Sequence, residues 1–145
     1  MAKVLISACL AGRACRFDGR AAVQPDLVDA LRANSAELVS FCPEEAAGLG
    51  TPRPDARLQG GDGEAVVDGR ARVITEAGDA TDAFLDGAHQ AVACATREGC
   101  TVAYLKERSP SCGCAVVHTD DGLKRGCGVT AALLRRAGIA TVSVS

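Results

Sequence analysis

Aromatic side chains are scarce in this chain, 3% of 145 residues, so any core must be built from Val, Leu, Ile and Ala. A basic tail or block of lysines is also missing. The 16 Lys and Arg set against 18 Asp and Glu leave a formal charge of −2, with a pI near 5.7. An extended phosphate-backbone footprint normally needs a positive patch, so stable binding to bulk nucleic acid is not expected. A single RNA loop or a small nucleotide stays admissible on a local arginine surface. Long hydrophobic runs are absent as well: nothing approaches the roughly 18 apolar residues of a membrane span, so no membrane association is expected. The opening run Met1–Leu10 is too short for a secretory h-region with its flanks and reads as a first strand.

The chain is rich in cysteine and glycine, with 8 and 16 residues, and its apolar fraction is 48%. Eight cysteines in a secreted protein would suggest four disulfides. This chain is long enough for its own core and shows no convincing signal segment. The expectation is therefore a reducing, cytoplasmic setting in which the thiols serve metal binding or chemistry.

The periodicities alternate between strand and helix. Val4 to Ile6 is β-prone, and Pro25 opens a helix with Leu27, Val28 and Leu31 on one side. Glu37 to Phe41 reads as the next strand. Gly48 to Asp62, rich in Gly and Pro, reads mainly as loop. Val66-Val67, Asp68-Gly69 and Arg70 to Ile74 suggest a hairpin with a type I′ turn. Thr81 is placed as the cap of a helix running toward Glu98 and stopped by Gly99. Thr101 to Leu105 is another strand. Gly128 precedes a last helix ended by Gly138, and Ile139 to Val144 closes the chain. The predicted architecture is a single α/β domain over residues 1–145: a parallel-rich sheet flanked by helices, Rossmann-like in its layering, with an added hairpin.

Three cysteine-bearing segments follow three predicted strands: Ser7 to Cys9, Cys42 to Glu44 and Ser109 to Cys112. Loops beyond the carboxyl ends of parallel strands form the usual ligand crevice of open α/β sheets. Cys9, Cys42 and Cys112 are thus predicted to meet at one edge despite their separation in sequence. Thiolates suit zinc, copper(I) and iron–sulfur centres. The spacing alone leaves a metal centre, thiol chemistry and simple burial all open, since it has neither the paired CxxC of structural zinc nor a ferredoxin run. Gly60 to Gly63 lacks the ending of a phosphate-binding loop and reads as a tight turn.

In this order along the chain, SACLAGRACRFDGR, FCPEEAAGLGTPRP, GGDG, VVDGRARV, KERSPSCG and GVTAALLRRAGI resemble the thiouracil desulfidase family, formerly a bacterial family known only as a domain of unknown function. The resemblance implies a [4Fe–4S] cluster held by Cys9, Cys42 and Cys112. Its remaining iron would capture sulfur from a small thiolated pyrimidine or thionucleoside, 2-thiouracil or a relative, while water supplies the replacing oxygen. It also implies acid/base work by Glu44, which the stiff Pro43 can aim into the crevice, and a substrate-site role for Ser109. Arg108, Arg16 and Asp18 are possible substrate contacts. Solvated strand ends and loops are the plain alternative for them. Cys94 and Cys100 read as packing residues. Cys15 stands second in line as a ligand, and Cys114 and Cys127 stay open, with the helix amides after Gly128 a possible anion site. Two other functions compete: a non-enzymatic zinc- or cluster-binding interaction module, and a metal-independent thiol enzyme.

Overall fold

Strand β1 (Lys3–Ser7) forms where Val4, Leu5 and Ile6 precede the small residues of a 3₁₀ turn at Ala8–Ala11. The computed structural model describes residues 2–145, so Met1, at the head of that run, lies outside the described residues. The elements that follow are α1 (Pro25–Ala33), β2 (Glu37–Phe41), α2 (Pro43–Ala46), β3 (Arg57–Gln59) and α3 (Gly63–Val67). Next come β4 (Arg72–Thr75), β5 (Gly78–Asp79), α4 (Thr81–Glu98) and β6 (Val102–Lys106). The chain ends with β7 (Val116–Thr119), β8 (Gly122–Arg125), α5 (Val129–Arg136) and β9 (Ala140–Val144). Proline opens both α1 and α2, where its missing N–H costs nothing. Gly99 ends α4 at φ +74°, a left-handed cap that suits glycine.

One sheet is wholly parallel, in the order β2-β1-β6-β9. Its two faces separate by the period of two expected of a strand. Leu5, Ala103 and Leu105 pack with Ala95 of α4 and Ala131, Ala132 and Leu134 of α5. Ile6 and Tyr104 point the other way, toward Leu27 and Val28 of α1 and Leu10 of the 3₁₀ turn. Helices therefore cover both faces, and the α/β architecture expected from the sequence is present. The chain runs from β1 to β2 on one side and later returns to β6 on the other. The order of strands thus reverses at β1, and the crevice belongs outside the carboxyl ends of β1, β2 and β6.

The added hairpin is in fact a second, five-stranded mixed sheet, in the order β5-β4-β3-β7-β8. Its strands pair antiparallel except for β3 with β7. Leu58, Val73 and Val117 are fully buried there with Val66, Phe84, Ala88 and Val129. The segment Gly48–Asp62 is mainly loop, as expected, and holds one short central strand, β3, where Leu58 buries itself among these residues. The hairpin expected from Val66 to Ile74 is corrected. Val66-Val67 is not a strand but the end of α3. The Asp62 carboxylate accepts the Ala65 N–H at 3.2 Å as an N-cap, and Gly69, at φ +78°, follows the helix end. The hairpins lie instead at β4–β5 and β7–β8. Thr81 likewise begins α4 rather than capping it. Its hydroxyl accepts the Val73 N–H at 2.9 Å, while Asp79 accepts the Thr81 N–H at 2.8 Å.

Gly87 shows how the helical layer sets the site. A Cβ at this position of α4 would stand 2.2 Å from the carbonyl oxygen of Pro43, the residue after Cys42. Gly87→Ala is therefore expected to destabilise the fold. Overpacking typically costs about 1–3 kcal/mol, against roughly 1 kcal/mol of helix propensity gained by alanine, and a backbone carbonyl cannot rotate aside. A lower urea midpoint at unchanged m-value checks this; an unchanged or raised midpoint would refute it.

Candidate active site

Each of the three strand ends delivers one thiol. After β1 the 3₁₀ turn carries Cys9 and reverses at Gly12 (φ +106°), whose backbone a side chain would strain. After β2, Cys42 is the residue before Pro43 at the start of α2. After β6 comes a loop in which the Ser109 oxygen accepts the N–H groups of Ser111 and Cys112, both at 3.1 Å. That loop docks on α5: the carbonyls of Pro110 and Ser111 accept the N–H groups of Val129 and Thr130 at 3.0 and 2.8 Å. The amides at the start of α5 are thus consumed inside the protein. The anion site considered after Gly128 is not there.

Cys9, Cys42 and Cys112 line one cavity of about 230 Å³, together with Glu44, Ser109, Arg16 and Arg108. Asp18 is not on its wall; its carboxylate accepts the Arg20 N–H at 3.0 Å in an exposed turn. Cys94, Cys100, Cys114 and Cys127 are buried in the core beneath α4 and α5.

A fourth thiol, Cys15, is buried on the same wall. The Cys42 thiol donates to the Cys15 carbonyl at 3.9 Å, and the Cys15 side chain interacts with the thiols of both Cys42 and Cys9. Cys9 is held below the ordinary thiol range by the Cys15 side chain, although its burial opposes this. The Cys15 side chain and then burial push the Cys42 thiol well up. Cys15 is pushed up to about 11: its interaction with Cys42 lowers it, but that with Cys9 and its burial prevail. Burial takes Cys112 up to about 12. Among the described residues, Cys15, Cys42 and Glu45 form a group whose donor atoms all lie within 4.8 Å of one another, close enough for a single ion. Cys9 and Cys112 are outside that group. Soft thiolates facing one cavity are the donor set that iron–sulfur centres use.

Glu44 and Arg53 form the buried ion pair of the site, with side-chain exposures of 15% and 8%. Arg53 Nε donates to the Glu44 carboxylate at 2.7 Å, and its remaining nitrogens reach the carbonyls of Cys15 at 2.9 Å and Gly50 at 3.2 Å. One guanidinium thereby ties the loop carrying Cys15 to the start of α2. Burial pushes the Glu44 carboxyl above its usual range, and Arg53 offsets this only in part. The pair sits beside the thiols, so an acid of raised affinity for protons faces the same space.

The cavity also carries cations. Arg16, Lys106 and Arg108 line the cavity, and among the described residues none of them has a carboxylate within 4.0 Å. Burial and then the neighbouring Arg16 charge lower the Lys106 amine. Arg108 takes φ +71°, a costly conformation for a side-chain-bearing residue. Its backbone is held there by the Glu107 carboxylate on its N–H at 3.1 Å and by the His118 N–H on its carbonyl at 3.1 Å. Two of the chain's three phenylalanines, Phe17 and Phe41, also face the cavity.

Sequence reading missed Arg53, Phe17, His118 and Lys106 as wall residues. Arg53, Phe17 and Lys106 lie inside motifs already singled out, FCPEEAAGLGTPRP, SACLAGRACRFDGR and KERSPSCG, and that was the one signal for them; His118 had none.

The profile of the 2-thiouracil desulfurase family matches residues 4–145. The chain belongs to this family. A relative in Bacillus subtilis (strain 168), the uncharacterized protein YbbK, is 40% identical over 147 residues, covering 97% of this chain and 94% of that protein. Among solved structures, the [4Fe–4S]-dependent thiouracil desulfidase TudS (DUF523Vcz) is 39% identical. The likeness has a TM-score of 0.83 and covers 99% of this chain and 91% of that one. Membership in the family agrees with the resemblance carried by the sequence motifs. Among the described residues, no helix is long and apolar enough to cross a membrane.

Proposed function

We propose that this chain removes sulfur from a small thiolated pyrimidine, 2-thiouracil or a related base or nucleoside, using a [4Fe–4S] cluster held by Cys9, Cys42 and Cys112. The observation that carries the reading is the delivery of three thiols from three strand ends to one cavity that also holds Glu44 and Ser109. The description of TudS supports it from outside. When bound, such a cluster supplies an iron without a protein ligand, soft enough to take sulfur and acidic enough to polarise it.

The protein's own groups do the rest. Phe17 and Phe41 offer ring faces to a planar heterocycle. The Ser109 oxygen already accepts two N–H groups, so its hydrogen is free to donate to the sulfur or oxygen of the base. Glu44, with its raised proton affinity, activates the water that supplies the new carbonyl oxygen and returns a proton to the ring.

Anaerobic reconstitution tests the proposal. Four irons with labile sulfide, release of sulfide and the oxygen analogue from a thiopyrimidine, and oxygen-18 from water in the product are the expected results. A second reading comes from the Cys15, Cys42 and Glu45 group: one zinc-type ion in a non-enzymatic module. Colourless protein with one zinc and no sulfur release favours it. Cys15→Ala tells the two apart, because it removes a zinc donor and leaves the three cluster thiols in place.

The unpaired cations suit a substrate with an acidic substituent, such as a phosphate. Arg108→Ala is expected to raise KM for a phosphate-bearing thiopyrimidine roughly ten- to hundredfold, the usual range for a lost charge-assisted hydrogen bond. The free base should change much less. Equal effects on both substrates would remove Arg108 from phosphate recognition.

A further inference from the structure

The middle of the loop that presents Ser109 and Cys112 is fixed by the Ser109 oxygen and by α5, but neither of these holds its two ends. The loop has no regular secondary structure, and it begins on a strained Arg108. Its first and last residues nevertheless converge on a single group. One oxygen of the Glu107 carboxylate accepts the N–H groups of Arg108 at 3.1 Å, Cys114 at 2.9 Å, Ala115 at 3.2 Å and Val116 at 3.3 Å. The other oxygen accepts the Ser143 hydroxyl of β9. The Glu107 N–H in turn donates to the Val144 carbonyl at 2.8 Å. Glu107 is 9% exposed.

We infer that Glu107 is the positioning residue of this active site: by gathering both ends of the 108–116 segment onto one anchor in β9, it sets where Ser109 and Cys112 stand. The inference rests on the proposed desulfidase reading for the roles of those two residues, but not for the geometry. Four N–H groups on one oxygen need an acceptor at one particular reach. Burial would by itself raise this carboxyl, yet the Ser143 hydroxyl and the backbone N–H groups take it down to about 2, so it is an anion at neutral pH. Without it, four backbone donors close to the site would lose their partner, and the left-handed turn at Arg108 would keep only the His118 N–H on its carbonyl. Glu107 also lines the cavity, but as an anion at neutral pH it has no proton to give to substrate.

The substitutions Glu107→Ala, Glu107→Asp and Glu107→Gln separate reach from charge. Gln keeps a carbonyl oxygen at the same reach and offers an amide to Ser143. Asp keeps the charge but falls one methylene short. In cluster-free protein kept anaerobic, mass-mapped alkylation by iodoacetamide reads the exposure of Cys112, with Cys94 and Cys100 as internal references. Amide exchange at Cys114, Ala115 and Val116 reads the anchor itself. Glu107→Ala is expected to speed Cys112 alkylation roughly ten- to hundredfold, from the loss of several buried hydrogen bonds, with Cys94 and Cys100 unchanged. Asp should behave like Ala, and Gln should restore most of the protection. In loaded protein, turnover per bound iron should follow the same order.

Unchanged Cys112 protection in Glu107→Ala overturns the inference, as does protection restored by Asp and not by Gln. If Glu107→Ala does not fold, the contrast between Asp and Gln and the single-bond variant Ser143→Ala decide the matter in the same way. The alkylation and exchange measurements need neither cluster nor substrate. A protein that desulfidates nothing would therefore still pass or fail them, and the two failures remain distinct.

Discussion

Replacing Cys9, Cys42 or Cys112 by alanine is expected to strip iron and labile sulfide from anaerobically prepared protein and to abolish sulfur release with them. Each thiol comes from a separate strand end, so no neighbour in its own segment stands ready to replace it. Cys15 is the nearest reserve, but it is committed between Cys42 and Cys9. Even an outer partner of a metal ligand commonly contributes ten- to hundredfold in affinity or activity, roughly, and the loss of a direct ligand exceeds that. The fold should survive, because the parallel sheet is packed by Leu5, Ala103, Leu105 and Leu134. Cys94→Ala and Cys100→Ala, buried in that same packing, are the controls and should retain the centre. Iron and sulfide counts beside turnover and melting temperature make the check. A full complement of iron and normal turnover in all three variants would defeat the three-ligand assignment.

Glu44→Gln is the second large effect. The centre should remain, while conversion of a thiopyrimidine to its oxygen analogue falls roughly 10²–10⁴-fold, the usual loss for a positioned acid/base. Gln occupies the same space but cannot hold or release the proton. One complication is built into the site. Arg53 loses its buried anionic partner, and breaking a buried pair costs about 3–5 kcal/mol when a charge is left uncompensated. Arg53 keeps its bonds to the carbonyls of Cys15 and Gly50, which limits that loss. The assay therefore reads iron content, melting temperature and oxygen-isotope incorporation together. Near-original turnover with an intact centre would take the catalytic role from Glu44. Loss of the centre itself would assign Glu44 a supporting role.

The parts of this molecule that could be read from the sequence are those whose cause is local. Strand, then cysteine, recurs after Ile6, Phe41 and Leu105, and parallel pairing of these strands is enough to bring the thiols to one side. Gly99 and Gly128 mark helix ends by their backbone freedom and close packing. The errors arose where two local readings compete. Asp62 could open a loop or cap a helix, and Ala65 takes its carboxylate. Val66 and Val67 suit a strand by branching, but the cap and burial against α5 made them helical. Arg53 and Glu107 were beyond reach for another reason. Their partners are backbone atoms of Cys15, Gly50, Cys114 and Val116, and a sequence does not record which carbonyl or N–H a distant side chain will meet.

The pairing of β1 has a consequence for how the protein comes into being. Its partner on one side, β2, follows within the first 41 residues, whereas Leu5 on the other side must wait for Ala103. Contacts between such distant residues form slowly, since a long loop has to close before they give anything back. During synthesis β1, β2 and the thiols of Cys9, Cys15 and Cys42 are therefore all present before Cys112 has been made. Any pocket those strands form early on is one of clustered thiols, open on the side where β6 will dock. Its last wall, and with it the loop held by Glu107, arrives only after most of the polypeptide has been translated.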